Sequence, residues 1–209
     1  MTLVRRIIHP ISIIIIILRF IMTSILIFAG SARRGAFSKQ LAAAATTIIA
    51  EAGAKPTLID LADFEAPLYN ADLEDSSGIP QSVLDFRRLV ASHHGLMIAT
   101  PEYNGFITPL VLNMLCWASR PSPGDDFGSV FQAKPVALMA ASSGRLGGVR
   151  VIPRLRDVLA ELGMVPVPGF VTVPAAASAF TSRGRLADDV AETGLVALAD
   201  RLLDASRPR

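Results

Sequence analysis

Three short stretches of the chain carry residue types that could hold a ligand. The first is Gly30-Ser31-Ala32-Arg33-Arg34-Gly35-Ala36-Phe37-Ser38, which follows an apolar run and leads into a helical pattern. A helix amino terminus leaves backbone N–H groups unpaired and carries the positive end of the helix dipole, so it favours an anion. Ser31 and Ser38 add hydroxyls, and Arg33 adds a fixed charge with a forked donor set. The matching chemistry is recognition of a phosphate monoester. Gly30 and Gly35 have P-loop spacing, but Ala36-Phe37 stands where a P-loop needs Lys-Ser/Thr. The pattern is not G-x-G-x-x-G either. A solvated turn with a serine cap would use the same residues, so this loop alone leaves both readings open.

The second stretch is Thr100-Pro101-Glu102-Tyr103-Asn104-Gly105, where proline and glycine bracket a tight loop. Its amides and the Tyr103 ring could line a flat heterocycle; alternatively, Glu102 and Asn104 could cap the next helix. The third is Ser142-Ser143-Gly144-Arg145-Leu146-Gly147-Gly148. Three glycines here mean close backbone approach or unusual dihedrals, or else a flexible surface turn. Ala140 and Ala141 sit where a G-x-S-x-G nucleophile elbow would need glycine, so a serine hydrolase is excluded on this loop.

The elements that must position these loops alternate along the chain. Strand candidates are Ile25–Ala29, Thr57–Asp60, Leu96–Thr100, Val136–Ala141 and Val165–Val173, each short and largely apolar, as strands covered on both faces are. Between them, Phe37, Leu41, Ala44, Ala45, Ile48 and Ile49 recur on one helical face. Pro80 opens a second helix, and Ile107–Ala118, Gly148–Leu162 and Asp188–Asp204 supply three more. Five strands alternating with five helices imply an α/β fold: one parallel sheet with helices on both faces. Such sheets bind ligands at the carboxyl ends of their strands, where all three stretches lie.

In this order, the three stretches make the chain similar to the NAD(P)H-dependent FMN reductase family of flavodoxin-like proteins. That family shows Gly-Ser-x-Arg-x-x-Ser-x-Asn after strand one, Pro-Glu-Tyr-Asn-Gly after strand three and Ser-x-Gly-x-x-Gly-Gly after strand four. The resemblance runs from about Thr23 to Leu203 and includes Ala66-Pro67-Leu68-Tyr69-Asn70. It implies a flavodoxin-like three-layer sandwich on a five-stranded parallel sheet. FMN would be held by Ser31, Arg33 and Ser38 at its phosphate. Pro101, Glu102, Tyr103, Asn104, Gly105, Ser142, Ser143 and Gly144 would surround the rest of it. NADPH or NADH would be the electron donor, and a flavin, quinone, azo compound or metal oxyanion the acceptor. The flavin carries the chemistry, so no catalytic side chain is assigned. A homodimer or homotetramer in the cytoplasm is expected. A non-catalytic FMN-binding electron carrier or redox-responsive module is the alternative.

The chain departs from the family pattern. Ala36 and Ser38 stand where the family has Ser and Asn. In the following helix motif, Leu112-Asn113 lacks the usual lysine and Cys116-Trp117 lacks the usual aspartate, which bears on subunit contacts. The segment Ile107–Ala118 is apolar on nearly all sides, and one sheet covers only one side, so a partner subunit is the expected second cover.

The 209 residues fit one domain with a sizeable core, since 51% are hydrophobic and only 18% charged. Much of the apolar excess lies in residues 1–21, a leader expected to stand outside the functional domain of residues 22–209. A membrane anchor and an export signal are the other possibilities. His9, Pro10 and Arg19 interrupt the apolar run, Arg19 at a cost of a few kcal/mol inside a bilayer. No small-residue cleavage site follows it. Membrane association is expected only if the leader is an anchor. Arg5, Arg6 and Arg19 account for the net charge of +2; without them the chain stands at −1, with no basic stripe for nucleic acid. Cys116 is the single cysteine, so no internal disulfide forms. His93 and His94 are adjacent at a helix end, point about 100° apart and do not make a metal site.

Overall fold

The computed structural model describes residues 23–207 except positions 123 and 125. The expected leader, residues 1–21, lies outside the described residues. The most apolar runs become the centre of the sheet: β1 (Ser24–Ala29), β3 (Gly95–Thr100) and β4 (Pro135–Ala141) are almost wholly buried. Successive side chains of a strand point to opposite faces, so these runs feed two cores. Ile25, Ile27, Ala29, Met97 and Met139 face one; Leu26, Phe28, Ile98 and Leu138 face the other.

All strand pairs are parallel, in the order β2 (Lys55–Asp60), β1, β3, β4. Consecutive strands diverge to either side of β1, which places the switch point between β1 and β3. Helices α1 (Phe37–Glu51) and α6 (Asp189–Ala205) cover one face. Helices α3 (Gln81–Ser92), α4 (Pro109–Ala118) and α5 (Val151–Glu161) cover the other. The expected parallel α/β sandwich is the observed one.

Details differ from expectation for identifiable reasons. The fifth strand, read as Val165–Val173, is broken into β5 (Val165–Pro166) and β6 (Val171–Val173), both paired with β4. Pro166 and Pro168 lack an N–H for the ladder, and Gly169 turns through φ 84° between the pieces. A short helix, α2 (Ala71–Ser77), buries no residue and so has no apolar periodicity to betray it; its Asn70 cap accepts from the Asp72 N–H. The fourth helix begins at Pro109 rather than Ile107 because Thr108 caps it. The next begins at Val151 rather than Gly148 because Gly147 and Gly148 have φ of 59° and 83°.

Helix α4 also finds cover within the chain itself. Trp117 Nε1 and Asn113 Nδ2 both donate to the Pro67 carbonyl, and Asn113 Oδ1 accepts from the Tyr69 N–H. Tyr69 packs edge-on against Trp117 at 5.0 Å. The chain's own segment after β2 therefore covers a second side. This leaves Leu110 and Leu112 half-buried, a smaller surface for a partner than the sequence implied.

Candidate functional site

The loops after β1, β3 and β4 converge on one concavity at the carboxyl end of the sheet. It is lined by Ser31, Arg33, Ser38, Pro101, Glu102, Tyr103, Ser142 and Ser143, together with Ala36, Phe37 and Ala141. Eight residues selected from sequence thus come together across a span of more than a hundred positions. Asn104, Gly105 and Gly144 are not among the lining residues; they shape the turns behind it.

The first loop is built to present donors. α1 starts at Phe37 after Ala36, which offers no side-chain cap, and its first turn holds no acid. Ser38 Oγ is buried and has no hydrogen-bond partner. An orphaned buried hydroxyl costs about 1–3 kcal/mol, so its presence beside uncapped N–H groups needs a reason. Arg33 is exposed, packs over the Phe37 ring at 5.7 Å and has no acid partner among the described residues. Ser31 Oγ accepts from the Arg33 N–H at 3.3 Å. Lys39 Nζ, bonded to Asp60 Oδ2 at 2.5 Å and to the Ala32 carbonyl at 3.4 Å, ties the loop to the end of β2. Burial pushes the Asp60 carboxyl up, but hydrogen bonds from Lys39 and the Ala62 N–H outweigh it, and the acid sits below its ordinary pKa. At Gly30 a Cβ would lie 2.6 Å from Val111 and 2.8 Å from Thr100, so only glycine lets β1 turn here. These donors suit a phosphate monoester, whose dianion would satisfy Ser38, the free amides and Arg33 together.

The second loop is a miniature hairpin. Tyr103 and Phe106 exchange backbone hydrogen bonds of 3.1 and 2.9 Å, with Asn104 (φ 52°) and Gly105 (φ 71°) at its tip. Asn-Gly is the pair such a turn demands. The Tyr103 ring is left half exposed at the mouth of the concavity. Glu102 lines the concavity and also holds it together. Its carboxylate accepts from the backbone N–H groups of Arg150 (2.9 Å) and Val151 (3.2 Å) and pairs with the Arg150 guanidinium. It caps α5, forty-eight residues away, whereas the sequence suggested a cap on the next helix. In the third loop, Ser142 Oγ accepts from the Gly144 N–H. At Gly147 a Cβ would lie 2.8 Å from the Pro174 backbone, so a side chain there would push the loop off β6.

The sequence missed the Glu102–Arg150 clasp and the Thr108 hydroxyl that donates to the Gly30 carbonyl at 2.9 Å. Both join loops far apart in the chain, and no local pattern signals them.

Residues 23–178 match the model of the family described as NADPH-dependent FMN reductase. An NAD(P)H-dependent FMN reductase of Pseudomonas aeruginosa is 38% identical over 64% of this chain and 70% of its own. A 2-hydroxy-1,4-benzoquinone reductase of a Burkholderia species is 36% identical over 68% of this chain and 72% of its own. Among solved structures, the flavoenzyme NAD(P)H:(acceptor) oxidoreductase FerB of Paracoccus denitrificans superposes with a TM-score of 0.72. It has 23% identity and covers 88% of this chain and 97% of its own, a likeness of fold.

Proposed function

The chain belongs to the NADPH-dependent FMN reductase family, and from that membership we propose that it reduces a quinone, with FMN seated in the concavity after β1, β3 and β4. It is a flavin-dependent oxidoreductase that uses FMN with NAD(P)H as donor. The observation that carries the placement is Ser38, a buried hydroxyl without a partner beside an uncapped helix start and an unpaired arginine.

When bound, FMN supplies two-electron chemistry that lets a hydride donor and an acceptor react in turn at one site. The chain's part is to bind and orient. Arg33, Ser31, Ser38 and the α1 amides balance the phosphate charge. The hairpin of residues 103–106 offers a flat wall, held by Glu102 against α5, and Ser142–Gly144 offer the other. Glu102 is already committed to three donor groups, so no side chain is assigned a proton-transfer role. The Burkholderia relative's substrate supports a quinone as the acceptor.

The test is to purify the protein, record its visible spectrum, and follow NAD(P)H oxidation with and without a quinone. Flavin bands and quinone-dependent turnover are expected. A protein that takes up no FMN contradicts the site, and an FMN-loaded protein that oxidises no NAD(P)H contradicts the enzyme.

Three further features belong to this proposal. The folded unit is residues 22–209, so expression from Met22 should retain FMN binding; loss of folding would refute this. Subunits associate as a dimer or tetramer, with the half-buried Leu110 and Leu112 of α4 contributing. The location is cytoplasmic, where NAD(P)H is supplied and a lone Cys116 stays reduced. Among the described residues, no helix is long and apolar enough to cross a membrane.

A further inference from the structure

Next to Tyr103, which lines the concavity, its bridge partner Phe106 carries an arginine over its ring. Tyr103 and Phe106, the paired ends of the hairpin, are 48% and 46% exposed. The Arg154 guanidinium lies 5.7 Å from the centre of the Phe106 ring and is pinned by a 2.5 Å hydrogen bond to the Arg150 carbonyl. Arg145, two residues beyond Ser143 of the concavity's lining, is exposed. Neither Arg145 nor Arg154 has an acid partner among the described residues. Arg150, by contrast, is neutralised by Glu102. Without its first 21 residues the chain is at −1, so these positive charges are local and owe nothing to net charge.

We propose that they select acceptors that carry negative charge. The class is quinones bearing an ionised hydroxyl, a carboxylate or a sulfonate, with Arg154 and Arg145 as the specificity-determining residues. The inference rests on the quinone reading above and narrows it. A donor and an acceptor that use one opening in turn meet the same charges. Once the polyanionic donor has left, Arg145 and Arg154 remain without counter-charge, and the Phe106 face with Arg154 above it suits a flat anion. A neutral quinone gains only the stacking. Clefts of one sign also raise the encounter rate of oppositely charged substrates.

The chemistry closes for an ionised hydroxyquinone. NAD(P)H, the quinone anion and two protons give NAD(P)+ and a neutral trihydroxybenzene. The hydride and one proton complete the hydroquinone. The second proton restores the third hydroxyl, whose pKa rises to about 10, as for any phenol, once the conjugated carbonyls are gone. Reduction therefore removes the charge that drew the substrate in, and the product leaves without that attraction.

The test compares a naphthoquinone sulfonate with the parent neutral naphthoquinone on the FMN-loaded full chain. First, binding to the oxidised protein is measured by titration calorimetry, with no donor present and no turnover. The sulfonate should bind about tenfold more tightly at low salt, the two charges each contributing roughly two- to fivefold. The preference should vanish near 1 M salt, where the Debye length is about 3 Å. Second, dithionite-reduced protein is mixed with each quinone by stopped flow; the sulfonate rate should fall with salt and the neutral rate stay flat. Arg154→Gln and Arg145→Gln should each lower the sulfonate-to-neutral ratio two- to fivefold, and Arg154→Lys should restore most of it. Equal, salt-independent behaviour of the two quinones overturns this inference alone. If neither quinone reoxidises the reduced protein, the quinone reading falls and takes this inference with it.

Discussion

The two ends of the sheet treat their polar groups in opposite ways. At the amino end, His93 is 9% exposed. Its Nδ1–H donates to the Leu89 carbonyl at 2.7 Å, which leaves Nε2 to accept from Thr57 Oγ1 at 2.7 Å. Lys134 Nζ closes on the His93 carbonyl at 2.5 Å, and His94 Nδ1 accepts from the Ser24 N–H at 3.0 Å. Exceptions there include Ser206, a buried hydroxyl wedged against Gly95, and Ser129 just before β4. At the carboxyl end, Ser38 is orphaned, α1 starts without a side-chain cap, and Arg33 and Arg145 have no acid partner among the described residues. The amino end spends its donors on the fold. The carboxyl end spends Lys39, Arg150 and Thr108 on its own loops but leaves Ser38 and Arg33 over, so part of its stability is available to a ligand.

If that division is right, perturbing the amino end should cost stability and leave the flavin alone. His93→Ala empties a buried site and strands Thr57 and Leu89, for about 2–3 kcal/mol. A thermal melt should shift down by roughly 4–12 °C, while the FMN dissociation constant stays within twofold of wild type. A large loss of FMN affinity with an unchanged melt would erase the distinction between the ends.

Acid should find the amino end first. Burial holds the His93 pKa below its ordinary value, against the hydrogen bond to Leu89 and with help from the charges of Lys134, Lys55 and His94. The folded state keeps this ring neutral while the unfolded chain protonates it near pH 6.5. Its contribution is therefore complete above about pH 6.5 and lost as pH falls below that. Asp60 at the carboxyl end, also depressed, loses its contribution only below the unfolded carboxylate value of about 3.9. Urea midpoints measured from pH 7 down to about pH 5 should decline in wild type and stay flatter in His93→Ala. Equal slopes would show that His93 is not the group responsible.

The smallest effect should be the most discriminating. Ser38→Ala removes a hydroxyl that nothing in the fold uses, so the flavin-free protein should be unchanged or more stable by under about 1 kcal/mol. FMN binding should nevertheless weaken by about fivefold. A destabilised flavin-free protein would mean that the hydroxyl has a structural partner after all.

Much of this was legible in the sequence because it is local. The alternation of Ile25 and Ile27 with Leu26 and Phe28 follows from strand period, and the three loops declare themselves by glycine, proline and serine at strand ends. What was not legible is tertiary. Pro166 and Pro168 were in plain view, yet the break they make in the fifth strand shows only against β4. Helix α2 buries nothing, so periodicity could not reveal it. Glu102 caps a helix forty-eight residues on. Ser38 could be picked from the sequence as a phosphate-binding candidate, but that it is buried without a partner shows only in the fold. The apolar girth of α4 is legible, but not that Pro67 and Tyr69 of the same chain fold back onto part of it.

The central claim is that the phosphate of FMN sits on the loop of residues 31–38. Titrating wild type and Arg33→Ala with both FMN and riboflavin, which lacks the phosphate, tests it most directly. A charge-assisted hydrogen bond contributes about 1.5–3 kcal/mol. Arg33→Ala should therefore weaken FMN by roughly ten- to a hundredfold and leave riboflavin, already a poor ligand of wild type, almost unaffected. If the substitution weakens FMN and riboflavin equally, the phosphate does not sit at this loop and the account is wrong.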